Sequence, residues 1–77
     1  MCGVVAVLGK ENASQLVIEG LKKLEYRGYD SAGIASIYQG LLQTIKSEGK
    51  LVNLIEKLDR LTKEELYFDN SVALGHT

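Results

Sequence analysis

Gln39-Gly40 stands between two apolar-rich runs, Gly33-Ile34-Ala35-Ser36-Ile37-Tyr38 and Leu41-Leu42-Gln43-Thr44-Ile45-Lys46. A two-residue connector ending in glycine closes antiparallel pairs, because its backbone twist matches that of the flanking strands. Residues 33–38 and 41–46 are therefore expected to form a hairpin. That commits the middle of the chain to an antiparallel sheet, which other elements must cover.

Two segments have the pattern of a cover. Asn12-Ala13-Ser14-Gln15 offers an N-cap at Asn12 and a capping-box partner at Gln15, and Leu16, Val17, Leu21 and Leu24 follow at helical spacing. A helix over 12–26 is expected. Lys22, Lys23 and Arg27 suit the negative end of its dipole, and Gly28 stands where a left-handed C-cap glycine would. Leu51, Leu54, Ile55 and Leu58 recur at i, i+3, i+4 and i+7, so a second helix is expected over 50–60. Thr62 to Glu65 resembles a further capping box on a short turn.

Val4-Val5-Ala6-Val7-Leu8 is a continuous β-branched run ended by Gly9, which predicts a strand buried on both faces. Ser71-Val72-Ala73-Leu74 reads as the start of a last strand, ending at Gly75-His76-Thr77 and leaving a sheet edge at Leu74 to Thr77. The order strand, helix, strand, strand, helix, strand gives an α+β class with helices over a largely antiparallel sheet. Proline is absent, so glycine makes the stops.

At 77 residues and 45% apolar content the chain has enough material for one modest core and too little for two. A net charge of −1, with the cations spread along the sequence, excludes a basic face for nucleic acid. The apolar run 4–8 is far short of a membrane span and lacks the flanks of a signal peptide, so a soluble, cytoplasmic protein is expected. One cysteine and one histidine cannot supply an internal disulfide or a self-contained zinc site.

The single cysteine is Cys2, directly behind Met1 and before Gly3. Removal of Met1 would give Cys2 a free α-amine that titrates near ~7.7–8.0, low enough to accept the thiol proton at neutral pH. Nucleophile and base would then share one residue, and the thiolate could attack an amide or ester carbonyl to form a thioester. Gly3 would leave room for close approach of a substrate. Cysteine also serves as a small apolar residue at a chain end, but here it joins without a break to a strand that would anchor it. Between the first helix and the hairpin, Glu25-Tyr26-Arg27-Gly28-Tyr29-Asp30-Ser31-Ala32-Gly33 gathers aromatic and charged residues where binding loops concentrate. A P-loop is excluded, because Val4 stands where its first glycine would be and Glu11 follows Lys10. A Cys2/His76 dyad lacks any orienting partner.

Met1-Cys2-Gly3, the run LVIEGLKKLEYRGYDSAGIA from Leu16 to Ala35, and the closing ALGHT together resemble the start of the glutamine:fructose-6-phosphate aminotransferase family. Related amidotransferases of purine synthesis carry a His-Arg-Gly-Gln-Asp version of the central segment, so Tyr26 and Tyr29 favour the sugar aminotransferases. The resemblance implies an N-terminal-nucleophile hydrolase fold, a four-layer αββα sandwich of which residues 1–77 would be the N-terminal part of a type 2 glutamine amidotransferase domain. Cys2 would be the catalytic nucleophile for glutamine hydrolysis. Arg27, Gly28, His76 and Thr77 would be substrate-binding residues by motif position. The ammonia released would aminate fructose 6-phosphate to glucosamine 6-phosphate in separate sugar-isomerase domains, with no metal and no cofactor.

In that family the Gly-His-Thr motif continues into Arg-Trp-Ala-Thr-His-Gly. The arginine, threonine and histidine of that continuation hold glutamine, and a later Asn-Gly pair forms the oxyanion hole. None of these lies within the 77 residues, so this stretch by itself is expected to be inactive and to pair with the remainder of the domain or to self-associate. The competing expectation is a non-catalytic binding or assembly module in which Cys2 is unused.

Overall fold

Gln39 and Gly40 adopt φ angles of 50° and 79°, the two positive values that a primed hairpin turn requires. The computed structural model describes residues 3–9, 11–25, 30–69 and 71–77. Its elements run β1 (Val4–Leu8), α1 (Ala13–Leu24), β2 (Ser31–Tyr38), β3 (Leu41–Glu48), α2 (Leu51–Lys63) and β4 (Val72–His76). The hairpin is longer than its sequence pattern indicated, pairing Ser31 with Glu48 at its open end and Tyr38 with Leu41 at the turn.

The four strands form one antiparallel sheet in the order β1-β4-β2-β3. This corrects the expectation of an exposed edge at Leu74 to Thr77: β4 is central, with Val4 paired to His76 on one side and Gly33 on the other. Its sequence suits that position. Ala73 and Gly75 point to the helix side, and a Cβ at Gly75 would run into Val17 and meet Leu21 Cδ1 at 3.0 Å. Only small residues let α1 settle this closely over β4.

α1 lies over β1 and β4, and α2 lies chiefly over β3. Val17, Leu21, Ile34, Leu51 and Leu54 are the largest fully buried side chains between the helices and the sheet. The opposite face of the sheet has no cover among the described residues. Val4 and Leu8 are 67% and 75% exposed there, which corrects the expectation that the first strand is buried on both faces. Strand alternation leaves Val5 and Val7 against the core and turns Val4, Ala6 and Leu8 outward. With both helices on one side, the apolar run is half covered.

The helix termini also differ from their expected form. Asn12 is left-handed, with φ 60°, and its side chain makes no capping bond. The first turn is capped instead from a distance, as the Ser14 backbone N–H donates to Asp69 Oδ1 at 2.9 Å. The second helix runs past residue 60 to Lys63, so Thr62 ends a helix rather than starting one. Glu65 takes φ 58°, Leu66 N–H donates to Leu61 O at 2.8 Å, and Glu65 N–H donates to Thr62 O at 3.1 Å. These bonds and the left-handed residue are a Schellman terminus. The expected C-cap at Gly28 lies outside the described residues.

The connection from α2 to β4 is pinned by a polar cluster. Tyr67 is 2% exposed, and its hydroxyl bonds Ser14 Oγ at 2.6 Å and Ser36 Oγ at 2.8 Å. Gln43 Nε2 donates to Ser36 Oγ at 3.0 Å and to Phe68 O at 2.8 Å, while Gln43 Oε1 accepts from Phe68 N–H at 3.0 Å. The Gln43 amide thus pairs with the Phe68 backbone as another strand would, and Phe68 stacks on Tyr38 at 4.8 Å. Among the described residues no buried side-chain nitrogen or oxygen lacks a partner. No described helix is long and apolar enough to cross a membrane.

Candidate functional site

The three strands that carry or adjoin the motif residues meet at one end of the sheet. β1 starts there, β4 ends there, and β2 starts there after the Glu25–Asp30 connection. The ladder continues one step beyond β4, where the Thr77 backbone N–H donates to Gly3 O at 3.0 Å. Residue 3, covalently joined to Cys2, is therefore held against the Gly75-His76-Thr77 end of the central strand.

His76 and Thr77 are both half-buried, but alternation along β4 separates their side chains. His76 stands on the uncovered face in a row with Val4, Gly33 and Lys46, one residue from each of the other strands. Its ring lies directly over Gly33. The Thr77 hydroxyl is on the helix side of Gly3, 3.4 Å from the point where a Cβ at Gly3 would lie. Leu24 Cδ1 is 2.6 Å from that same point. A side chain at position 3 would therefore displace the tip of Leu24 at the end of α1, a packing reason for glycine beside the room for a substrate that the sequence suggested.

Of the sequence-predicted site residues, His76 and Thr77 are brought to one end of the sheet on opposite sides of it. Cys2, Arg27 and Gly28, with Tyr26 and Tyr29, lie outside the described residues. Sequence reasoning treated Gly33 as part of a strand start and missed its contact with His76. The signal was present, because an isolated glycine inside a strand marks close approach of another group. It also missed Tyr67, which reads in the sequence as one residue of a connection. Chemically, the described part of the site offers an imidazole that can donate or accept and a hydroxyl that can do both. Both sit next to the strand that leads to the only thiol.

No protein-family model matches the chain. Curated proteins do match it. It is 48% identical to a glutamine–fructose-6-phosphate aminotransferase (isomerizing) of Thermosynechococcus vestitus, 49% to one of Clostridium tetani and 44% to one of Pyrococcus horikoshii. Each similarity covers 77 residues, 100% of this chain and 12% of the relative's length. The chain thus spans about an eighth of the curated relatives it matches.

Proposed function

We propose a glutamine-hydrolysing role for this chain, which is related over all of its 77 residues to the family of glutamine–fructose-6-phosphate aminotransferases. In this reading residues 1–77 belong to the amidotransferase domain of a cytoplasmic enzyme that makes glucosamine 6-phosphate from fructose 6-phosphate. The observation that supports it best is the Thr77 N–H to Gly3 O bond. It sets the residue joined to Cys2 beside two of the motif residues that the resemblance assigns to substrate.

Once Met1 is removed, the Cys2 α-amine takes the thiol proton and Sγ adds to the carboxamide carbon of glutamine. The tetrahedral adduct collapses with cleavage of the C–N bond. The relayed proton leaves with the nitrogen as ammonia, and a γ-glutamyl thioester remains. Water then adds to the thioester, glutamate departs, and the thiol is restored. Arg27, Gly28, His76 and Thr77 hold the substrate, and the ammonia goes to a sugar-binding region supplied by the rest of the enzyme. The sheet face left uncovered by the described residues is where a second sheet of a four-layer αββα sandwich would stack, at the roughly 10 Å spacing of facing sheets.

Intact-mass spectrometry before and after exposure to 6-diazo-5-oxo-norleucine, a glutamine-analogue electrophile, tests the reading. With the remainder of the amidotransferase domain supplied, loss of Met1 and a single adduct that disappears in Cys2→Ala are expected, whereas residues 1–77 by themselves are expected to take none. A processed chain that takes no adduct even with the remainder of the domain present, or one that takes the same adduct in Cys2→Ala, favours the non-catalytic module instead.

A further inference from the structure

Gly33 is buried on a face of the sheet that the described residues otherwise leave open. Val4, in the same cross-strand row, is 67% exposed, and Lys46, also in that row, is exposed. Among the described residues, the group that covers Gly33 is the His76 imidazole. A Cβ built at Gly33 would overlap Nε2 and would lie 3.0 Å from Cε1 and 3.2 Å from Cδ2. The backbone does not call for glycine here, since Gly33 is absent from the positive-φ glycines among the described residues, which are Gly9, Gly40 and Gly49. Glycine inside a strand weakens it and gives the sheet no side chain to pack. What Gly33 supplies is room for the outer edge of a ring to rest on the backbone.

We propose that Gly33 is a positioning residue for His76, a flat seat that holds the imidazole at one orientation at the end of the sheet where glutamine binds. The inference rests on the reading of His76 as a substrate contact. With the ring's outer edge against β2, its rotamer freedom is lost on folding rather than on binding, so a ligand meets an already oriented hydrogen-bonding group. Any side chain at position 33 lifts the ring off the strand and turns its nitrogens away from that orientation.

Two measurements on the full chain test this separately from the glutamine reading. The first is a urea unfolding cycle of Gly33→Ala, His76→Ala and the double variant. Gly33→Ala alone should lower the midpoint by about 1 M, as overpacking does. In the His76→Ala background it should leave the midpoint unchanged or raise it. If Gly33→Ala does not fold, folding of the double variant supports the seat equally, and failure of both overturns it. An equal loss in both backgrounds, or no loss in either, also overturns it.

The second is titration with glutamine, with the remainder of the amidotransferase domain supplied, followed at the His76 ring Cε1–H resonance. Gly33→Ala should need about 10-fold more glutamine for half the shift, in keeping with the steep cost of small misplacements. Equal glutamine dependence in the two proteins would overturn the positioning role even if the seat is real. No response in the parent protein would refute the reading of His76 as a substrate contact, and the positioning role with it.

Discussion

Replacing Tyr67 with phenylalanine keeps a buried ring and removes one oxygen that serves two partners. That hydroxyl bonds Ser14 Oγ at 2.6 Å and Ser36 Oγ at 2.8 Å, and Ser14 and Ser36 are each 2% exposed. A hydrogen bond is worth about 0.5–1.5 kcal/mol net, and a buried group left without a partner costs about 1–3 kcal/mol. Ser36 keeps the Gln43 amide at 3.0 Å, so the penalty concentrates on Ser14. We expect a loss of about 2 kcal/mol, or about 8–16 °C in Tm for a domain of this size. Thermal and urea unfolding followed by far-UV circular dichroism would read it. The control is Ser14→Ala: because it removes the orphaned hydroxyl, the double variant should lose clearly less than the two single losses added together. A Tyr67→Phe loss below about 0.5 kcal/mol, or strict additivity with Ser14→Ala, would refute the view that this cluster ties the α2–β4 connection to the core.

Gly75→Ala should destabilise by about 1–3 kcal/mol through overpacking, because its new methyl group is driven into Val17 and Leu21; unchanged urea unfolding would contradict the close docking of α1 on β4. Glu65→Gly should stabilise by roughly 0.5–1 kcal/mol, since glycine adopts the left-handed Schellman position without the Cβ penalty. A lower Tm for that variant would show that Glu65 contributes more than its backbone geometry implies.

The turn at Gln39-Gly40 and both helices were legible because their signals are local. A two-residue connector admits few geometries, and an apolar stripe at 3.6-residue spacing has one sensible reading. The place of β4 was not legible. Five residues from Val72 to His76 say that a strand forms but carry no statement of its neighbours, which lie at the far end of the chain and in its middle. The cap of α1 failed for the same reason: Asp69 is 55 residues from the amide it caps, and no local pattern encodes that. At the site, His76 and Thr77 were found through a motif rather than through physics. Their division between opposite faces follows from alternation once the strand is known. Gly33 was readable in principle, as a glycine in a strand that no turn requires.

The position of β4 also governs the order in which the molecule can be assembled. β1 with α1, and the β2-β3 hairpin with α2, are local units that contact each other mainly through the last strand in the sequence. Joining Val4 to His76 closes a loop of some seventy residues, an entropic cost of about 4 kcal/mol from the logarithmic length dependence alone. The seam should therefore close late and slowly compared with the hairpin. The ladder from Gly3 to Thr77 lies on that seam, so the corner that sets Gly3 against Thr77 comes into being only when these four strands are joined. A nascent chain that has not yet released residues 72–77 holds Gly3 apart from them, and this corner of the sheet forms only after the hairpin is already in place.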